Sequence, residues 1–257
     1  MTGREQVPPA LCFLTIFYIV NIYVDFSFLS NYNIIMEIYE IKEDILSRNN
    51  EQAKDVRSLL NDKNVFYVNL MSSPGAGKTT ILSALIPLLS ENYRIGVIEA
   101  DIDSDKDALT IERETGVRVI QMHTGGACHI TCQMSLEALN ALGTDGLDVI
   151  FLENIGNLVC PAEFDTGADM NLVLLSVPEG DDKPLKYPLM FEVASAVAIT
   201  KLDVAPIFDF DCDSAVKNIR KRNENAKVFF TSAPDGTGIN ELKQYIETEA
   251  IKKIRRD

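Results

Sequence analysis

An α/β architecture, a mostly parallel sheet with helices on both faces, is what the order of patterns along this chain predicts. Three observations carry the prediction. Short runs rich in β-branched residues alternate with helix-like stretches over most of the 257 residues. A glycine-containing segment, Ser72-Ser73-Pro74-Gly75-Ala76-Gly77-Lys78-Thr79, lies between a strand-like run and a helix-like one. No internal repeat or low-complexity linker interrupts the alternation. Sheets of this kind bind ligands beyond the carboxyl ends of their strands, so the chemistry is sought there.

The elements follow in order. Ile38, Ile41, Ile45, Ala53, Val56 and Leu60 recur near helical spacing with charges between them, so residues 36–64 read as a leading helix. Residues 65–70 (VFYVNL) have a buried-strand pattern, and residues 79–89 form a helix entered from the glycine segment. Further strands are expected at 94–100, 117–122, 147–152, 172–177, 196–199 and 226–230, with helical stretches between most of them. Residues 65–257 are thus read as one P-loop NTPase domain. Ahead of Met36 the composition shifts. Residues 8–24 read PPALCFLTIFYIVNIYV, but Asn21 and Asp25 cut the run short and only Arg4 flanks it with positive charge. Residues 1–35 are therefore taken as an apolar extension upstream of a true start at Met36, rather than as a membrane anchor.

A net charge of −14 and a pI near 4.6 repel a phosphate backbone and argue against nucleic acid as a partner. Five scattered cysteines do not form a disulfide framework and point to a reducing, cytoplasmic setting with thiols free for metal.

The glycine segment has the composition of a phosphate loop. Gly75 and Gly77 let the backbone amides of Ser73 to Thr80, Ala76 among them, approach phosphate oxygens, Lys78 brings a cation to the β and γ phosphates, and Thr79 offers a hydroxyl to Mg2+. Thr200-Lys201-Leu202-Asp203 follows an expected strand. The Asp203 carboxylate can accept from guanine N1–H and its exocyclic amine, and the Lys201 stem can cover the base. Ser232-Ala233-Pro234-Asp235-Gly236, after the last expected strand, is the second base-binding cue, so GTP is preferred over ATP. Glu99, Asp101 and Glu153 all end strands on the nucleotide side. Asp101 and Glu153 are the candidates for completing the Mg2+ shell or orienting water, beside Lys78 and Thr79.

Cys128, His129 and Cys160 are a third constellation. Thiolate and imidazole suit zinc or nickel, although a buried cysteine is as often plain packing. Gly125-Gly126 precede the pair, and residues 130–142 read as a helix. Cys160 follows an expected strand in the place where P-loop GTPases keep a nucleotide-sensing switch. Three donors are one short of a closed tetrahedral site, and a symmetric dimer could supply the rest.

With SSPGAGKTT, HTGGACH, ENIGNLVCP and TKLD all in order from about Met36 onward, the sequence resembles the HypB family, GTPases of the SIMIBI class that help insert nickel into nickel-iron hydrogenases. ENIGNLVCP is the most specific segment. The urease-accessory relatives share the fold but typically carry Cys-Pro-His and lack NLVCP. The resemblance implies phosphate binding by Gly75, Gly77, Lys78 and Thr79, base binding by Lys201 and Asp203, and metal binding by Cys128, His129 and Cys160. It further implies a homodimer that depends on nucleotide and metal, and a hydrogenase maturation partner or hydrogenase large subunit. Two departures stand out. Thr200 occupies a place where the family commonly has Asn, and the N-terminal Cys cluster or His-rich tract of many members is missing, which implies a shuttle rather than a nickel store. With no arginine finger legible, slow turnover is expected. The rival readings are a metal-binding module that holds nucleotide without turnover, and a small-molecule kinase, which would want a basic lid that the sequence lacks.

Overall fold

The computed structural model describes residues 41–254. Residues 1–35, and the first residues of the expected leading helix, lie outside that range. Among the described residues no helix is long and apolar enough to cross a membrane.

Seven strands form one parallel sheet in the order β3-β2-β4-β1-β5-β6-β7. They are β1 (Phe66–Ser72), β2 (Ile95–Asp101), β3 (Arg118–His123), β4 (Val149–Glu153), β5 (Met170–Ser176), β6 (Ala196–Thr200) and β7 (Lys227–Phe230). The helices in chain order are α1 (Ile41–Asp62), α2 (Lys78–Leu89), α3 (Lys106–Thr115), α4 (Cys132–Leu142), three short ones, α5 (Cys160–Glu163), α6 (Lys183–Lys186) and α7 (Pro188–Glu192), then α8 (Cys212–Arg220) and α9 (Ile239–Ile254). All seven strands expected from sequence are present, and the parallel pairing is complete rather than partial.

Alternation along β1 shows how the layers arise. Phe66, Val68 and Leu70 face one side, where Ile81, Leu82, Leu85 and Leu89 of α2 and Leu242 and Ile246 of α9 cover them. Tyr67 faces the other side, beneath Ala53, Val56 and Leu60 of α1 and Ala138 and Leu139 of α4. A third cluster continues that second face under β5 and β6, with Met190 and Phe191 of α7 and Ala215 and Ile219 of α8. These side chains are almost wholly buried. Each large one contributes about 1.5–3 kcal/mol relative to exposure.

Two boundaries differ from expectation for identifiable reasons. Leu147 and Asp148 lie ahead of β4, because the Asp148 carboxylate accepts from the Arg94 backbone N–H at 2.7 Å and from its guanidinium at 2.8 and 2.9 Å, tying off the strand entry. Helix α4 starts at Cys132 rather than residue 130, because Thr131 is its N-cap and accepts from Met134 N–H at 3.3 Å.

Candidate functional site

Beyond β1 the chain turns through Ser73–Gly77 into α2. Gly75 and Gly77 have φ of 74° and 98°, a region costly for residues with a Cβ, and this lets the loop curl over the helix N-terminus. Two struts from the end of β6 brace the loop. Thr200 Oγ1 donates to Ala76 O at 2.7 Å, and Lys201 Nζ donates to Gly75 O at 2.7 Å. Thr200 is therefore a support of the phosphate loop. Lys201 itself sits at φ 59°, and Leu202 N–H donates to Thr231 O at 3.1 Å, which pins this turn to the end of β7. The buried Ser232 hydroxyl donates to Asp203 Oδ1 at 3.1 Å. Ala76, Gly77, Thr80, Lys201, Asp203 and Ala233 line a cleft of about 250 Å³ beside the loop. Ser73 lies on the other flank, against Pro74 and Gly156.

Acidic groups gather behind the loop. Glu153 ends β4, and Thr79 Oγ1 donates to its Oε1 at 2.9 Å. Glu99 of β2 is its register partner on the neighbouring strand, and carboxylate oxygens of Glu99, Asp107 and Glu153 lie within 4.8 Å of one another. Burial raises the Glu99 pKa to about 8, with the Glu153 charge adding to it. Burial likewise raises Glu153 to about 7, against the opposing pull of Lys78 and the Thr79 hydrogen bond. Among the described residues, Glu99 Oε2 and Glu153 Oε2 are buried oxygens with no hydrogen-bond partner. Orphaned carboxylate oxygens next to a phosphate-loop hydroxyl fit a hard divalent cation such as Mg2+.

Asp101, the other acid singled out from sequence, ends β2 outside this trio. Its Oδ1 accepts from the N–H groups of Asp103 at 3.0 Å and Ser104 at 2.7 Å, which hold its carboxyl below the usual range and shape the turn into α3. Glu99, placed on the nucleotide side from sequence but not chosen as a candidate, and Asp107, which was not chosen either, are the residues that join Glu153 here. A signal was available for Glu99: two glutamates near the carboxyl ends of neighbouring strands meet once the strands pair in register. Asp107 reaches the site only through the packing of α3, which no local pattern reveals.

On the same edge of the sheet, Cys128 and His129 occupy an irregular turn between β3 and α4, after Gly125 and Gly126 at φ 59° and 101°. Cys160 opens α5. Cys128 Sγ is 3.1 Å from Cys160 Sγ and 3.7 Å from His129 Nδ1, and the three donor atoms lie within 4.8 Å of one another. The His129 ring stacks on Phe164 with centroids 3.7 Å apart. Desolvation depresses the His129 pKa, favouring the neutral imidazole that a metal requires, while the hydrogen bond with Cys160 raises the Cys128 thiol. The donor set fits zinc or nickel with one position still to fill. Cys132 is separate: it is buried, its thiol donates to Asp165 O at 2.7 Å, and burial pushes its pKa to about 12.

Residues 66–230 match the CobW/HypB/UreG nucleotide-binding domain. Hydrogenase maturation factor HypB of Escherichia coli (strain K12) is 39% identical over 210 residues, covering 82% of this chain and 72% of that protein. The chain belongs to the HypB family. The hydrogenase/urease maturation factor HypB of Helicobacter pylori (strain ATCC 700392 / 26695) is 38% identical over 221 residues, 84% of this chain and 90% of that protein. A crystal structure of HypB from Helicobacter pylori in complex with nickel superimposes with a TM-score of 0.76 at 35% identity, covering 80% of this chain and 97% of that one. The signal recognition particle receptor FtsY of Elizabethkingia anophelis, in complex with GDP, shares the fold alone, with a TM-score of 0.52 at 14% identity.

Proposed function

We propose that this HypB-family chain is a GTP-hydrolysing metallochaperone that assists nickel insertion during hydrogenase maturation, with metal transfer coupled to nucleotide state. One observation carries the reading: the segment leaving Glu153 runs past the phosphate loop and brings Cys160 to 3.1 Å from Cys128. Gly75, Ala76, Gly77, Lys78, Thr79 and Thr80 hold the phosphates, with Ser73 at the loop's start. Lys201, Asp203, Ser232 and Ala233 hold guanine. Thr79, Glu153 and Glu99 would hold Mg2+, which would supply charge neutralisation at the phosphates. Lys78 stabilises the charge that develops during transfer, and Asp101 shapes the turn that carries Asp107. Nickel or zinc is cargo on Cys128, His129 and Cys160. Three donors, one short of a closed tetrahedral set, support a homodimer in which two such trios meet, acting in the cytoplasm with a hydrogenase maturation partner or hydrogenase large subunit.

Purified protein should release phosphate from GTP without an added acceptor, slowly, and Lys78→Ala should reduce that rate by at least about 100-fold, the range of losing one stabiliser of transition-state charge. No turnover in the wild-type protein would instead favour a nucleotide-holding metal module, and turnover that needs a small-molecule acceptor would favour a kinase.

A further inference from the structure

Residues 154–160 touch the phosphate loop and the cysteine turn at consecutive positions. Asn154 is fully buried, donates its N–H to Leu70 O at 3.0 Å and donates Nδ2 to Asn69 Oδ1 at 2.9 Å, so the segment starts fixed on β1. Two residues later Gly156 lies against the phosphate loop. A Cβ there would stand 2.8 Å from Pro74 Cα and 2.9 Å from Pro74 N, a distance that only glycine can tolerate unless the loop shifts. The next residue, Asn157, donates from Nδ2 to Cys128 O at 3.2 Å, while its Oδ1 accepts from Val159 N–H at 2.9 Å. Leu158 then returns to the core, and Cys160 meets Cys128.

We propose that Asn157 is the positioning residue of the metal site: it holds the Cys128 backbone in register with Cys160, and its link to the Gly156–Pro74 contact conveys the phosphate loop's position to the thiol pair. This rests on Cys128, His129 and Cys160 being the ligands. Two thiols delivered by different loops form a defined pair only if something fixes the distance between those loops. The Asn157 amide uses both of its ends for this task. Its oxygen closes the local turn, as asparagine does readily, and its NH2 reaches across to the other loop. Aspartate keeps the first bond, loses the second, and sets an anionic oxygen against the Cys128 carbonyl. Groups in this supporting position typically govern metal affinity by about 10–100-fold. Because Gly156 has no spare space at Pro74, movement of the phosphate loop displaces the neighbouring peptide that carries Asn157.

The test compares full-length wild type with Asn157→Ala, Asn157→Asp and Cys160→Ala. Zn2+ affinity is read by competition with a chromophoric chelator, in GDP and in a nonhydrolysable GTP analogue, and the Co2+ thiolate absorption is recorded. GDP affinity and the melting curve report on the fold. Both Asn157 variants should bind Zn2+ about 10–100-fold more weakly and show an altered Co2+ spectrum, with GDP affinity within twofold of wild type and the two nucleotide states no longer differing in Zn2+ affinity. Unchanged Zn2+ affinity and nucleotide dependence in both variants, while Cys160→Ala loses Zn2+, overturns the role of Asn157 and leaves the ligand set standing. A parallel loss of GDP affinity also overturns it, since that marks general loosening. Wild-type Zn2+ binding by Cys160→Ala overturns the ligand reading itself, and this proposal with it.

Discussion

The phosphate loop and the cysteine turn stand on the same edge of the sheet, yet they are held in opposite ways. Backbone geometry and tertiary bracing set the loop: two glycines at positive φ, struts from Thr200 and Lys201, and buried carboxylates behind it. The cysteine turn is half open to solvent, and the candidate donors come from that turn and from the start of α5, joined by few bonds, among them Asn157 to Cys128 O. A site imposed by the backbone and braced on several sides moves as a unit, whereas a site assembled from a turn and the start of a helix changes its spacing with either of them. The first suits repeated phosphoryl chemistry, the second capture and release of an ion.

The largest expected effect lies at the firmly held end. Asp203→Asn should weaken GTP binding by about 100-fold or more, because a charge-assisted pair with guanine is replaced by an opposed donor. The same variant should gain affinity for xanthosine triphosphate, whose carbonyl accepts from the new amide. Retained GTP affinity in a binding titration would remove Asp203 from the base site.

A smaller effect concerns the buried acids. In the unfolded chain glutamate titrates near about 4.3, whereas burial raises Glu99 to about 8 and Glu153 to about 7. Between those limits the folded state binds more protons than the unfolded one. Stability of the metal- and nucleotide-free protein should therefore fall as pH rises from about 5 to 8. Glu99→Gln should flatten that slope, and millimolar Mg2+ should restore several degrees of melting temperature at pH 8 in the wild type but fewer in the variant. A Glu99→Gln melting profile as steep as the wild type's would show that the pair does not govern the slope.

The same contrast explains what was legible in the sequence. The seven strands and the phosphate loop could be read because β-branched runs and a glycine-lysine-threonine turn are local signals. Thr200 departs from family practice, but its hydroxyl bonds a loop carbonyl, which is visible only once β6 stands beyond β5, two strands from β1. Glu99 needed strand register, and Asp107 needed the packing of α3. The meeting of Cys128 with Cys160 joins residues 32 apart in sequence, and residue types alone left metal binding and plain packing both open. Asn157 carries no signal of its own, since asparagine in a loop is ordinarily a turn former.

Nucleotide state, on the proposed function, sets metal affinity. This dependence is tested most directly by titrating the full-length wild-type protein with Ni2+ and Zn2+ against a competing chelator, once saturated with GDP and once with a nonhydrolysable GTP analogue, and then measuring nucleotide affinity with and without metal. The affinities should differ between the two nucleotide states by about 5–150-fold, and by linkage metal should alter the ratio of analogue to GDP affinity by that same factor. Equal metal affinities in both states, with Cys128, His129 and Cys160 still acting as ligands, would show that metal binding is independent of the nucleotide.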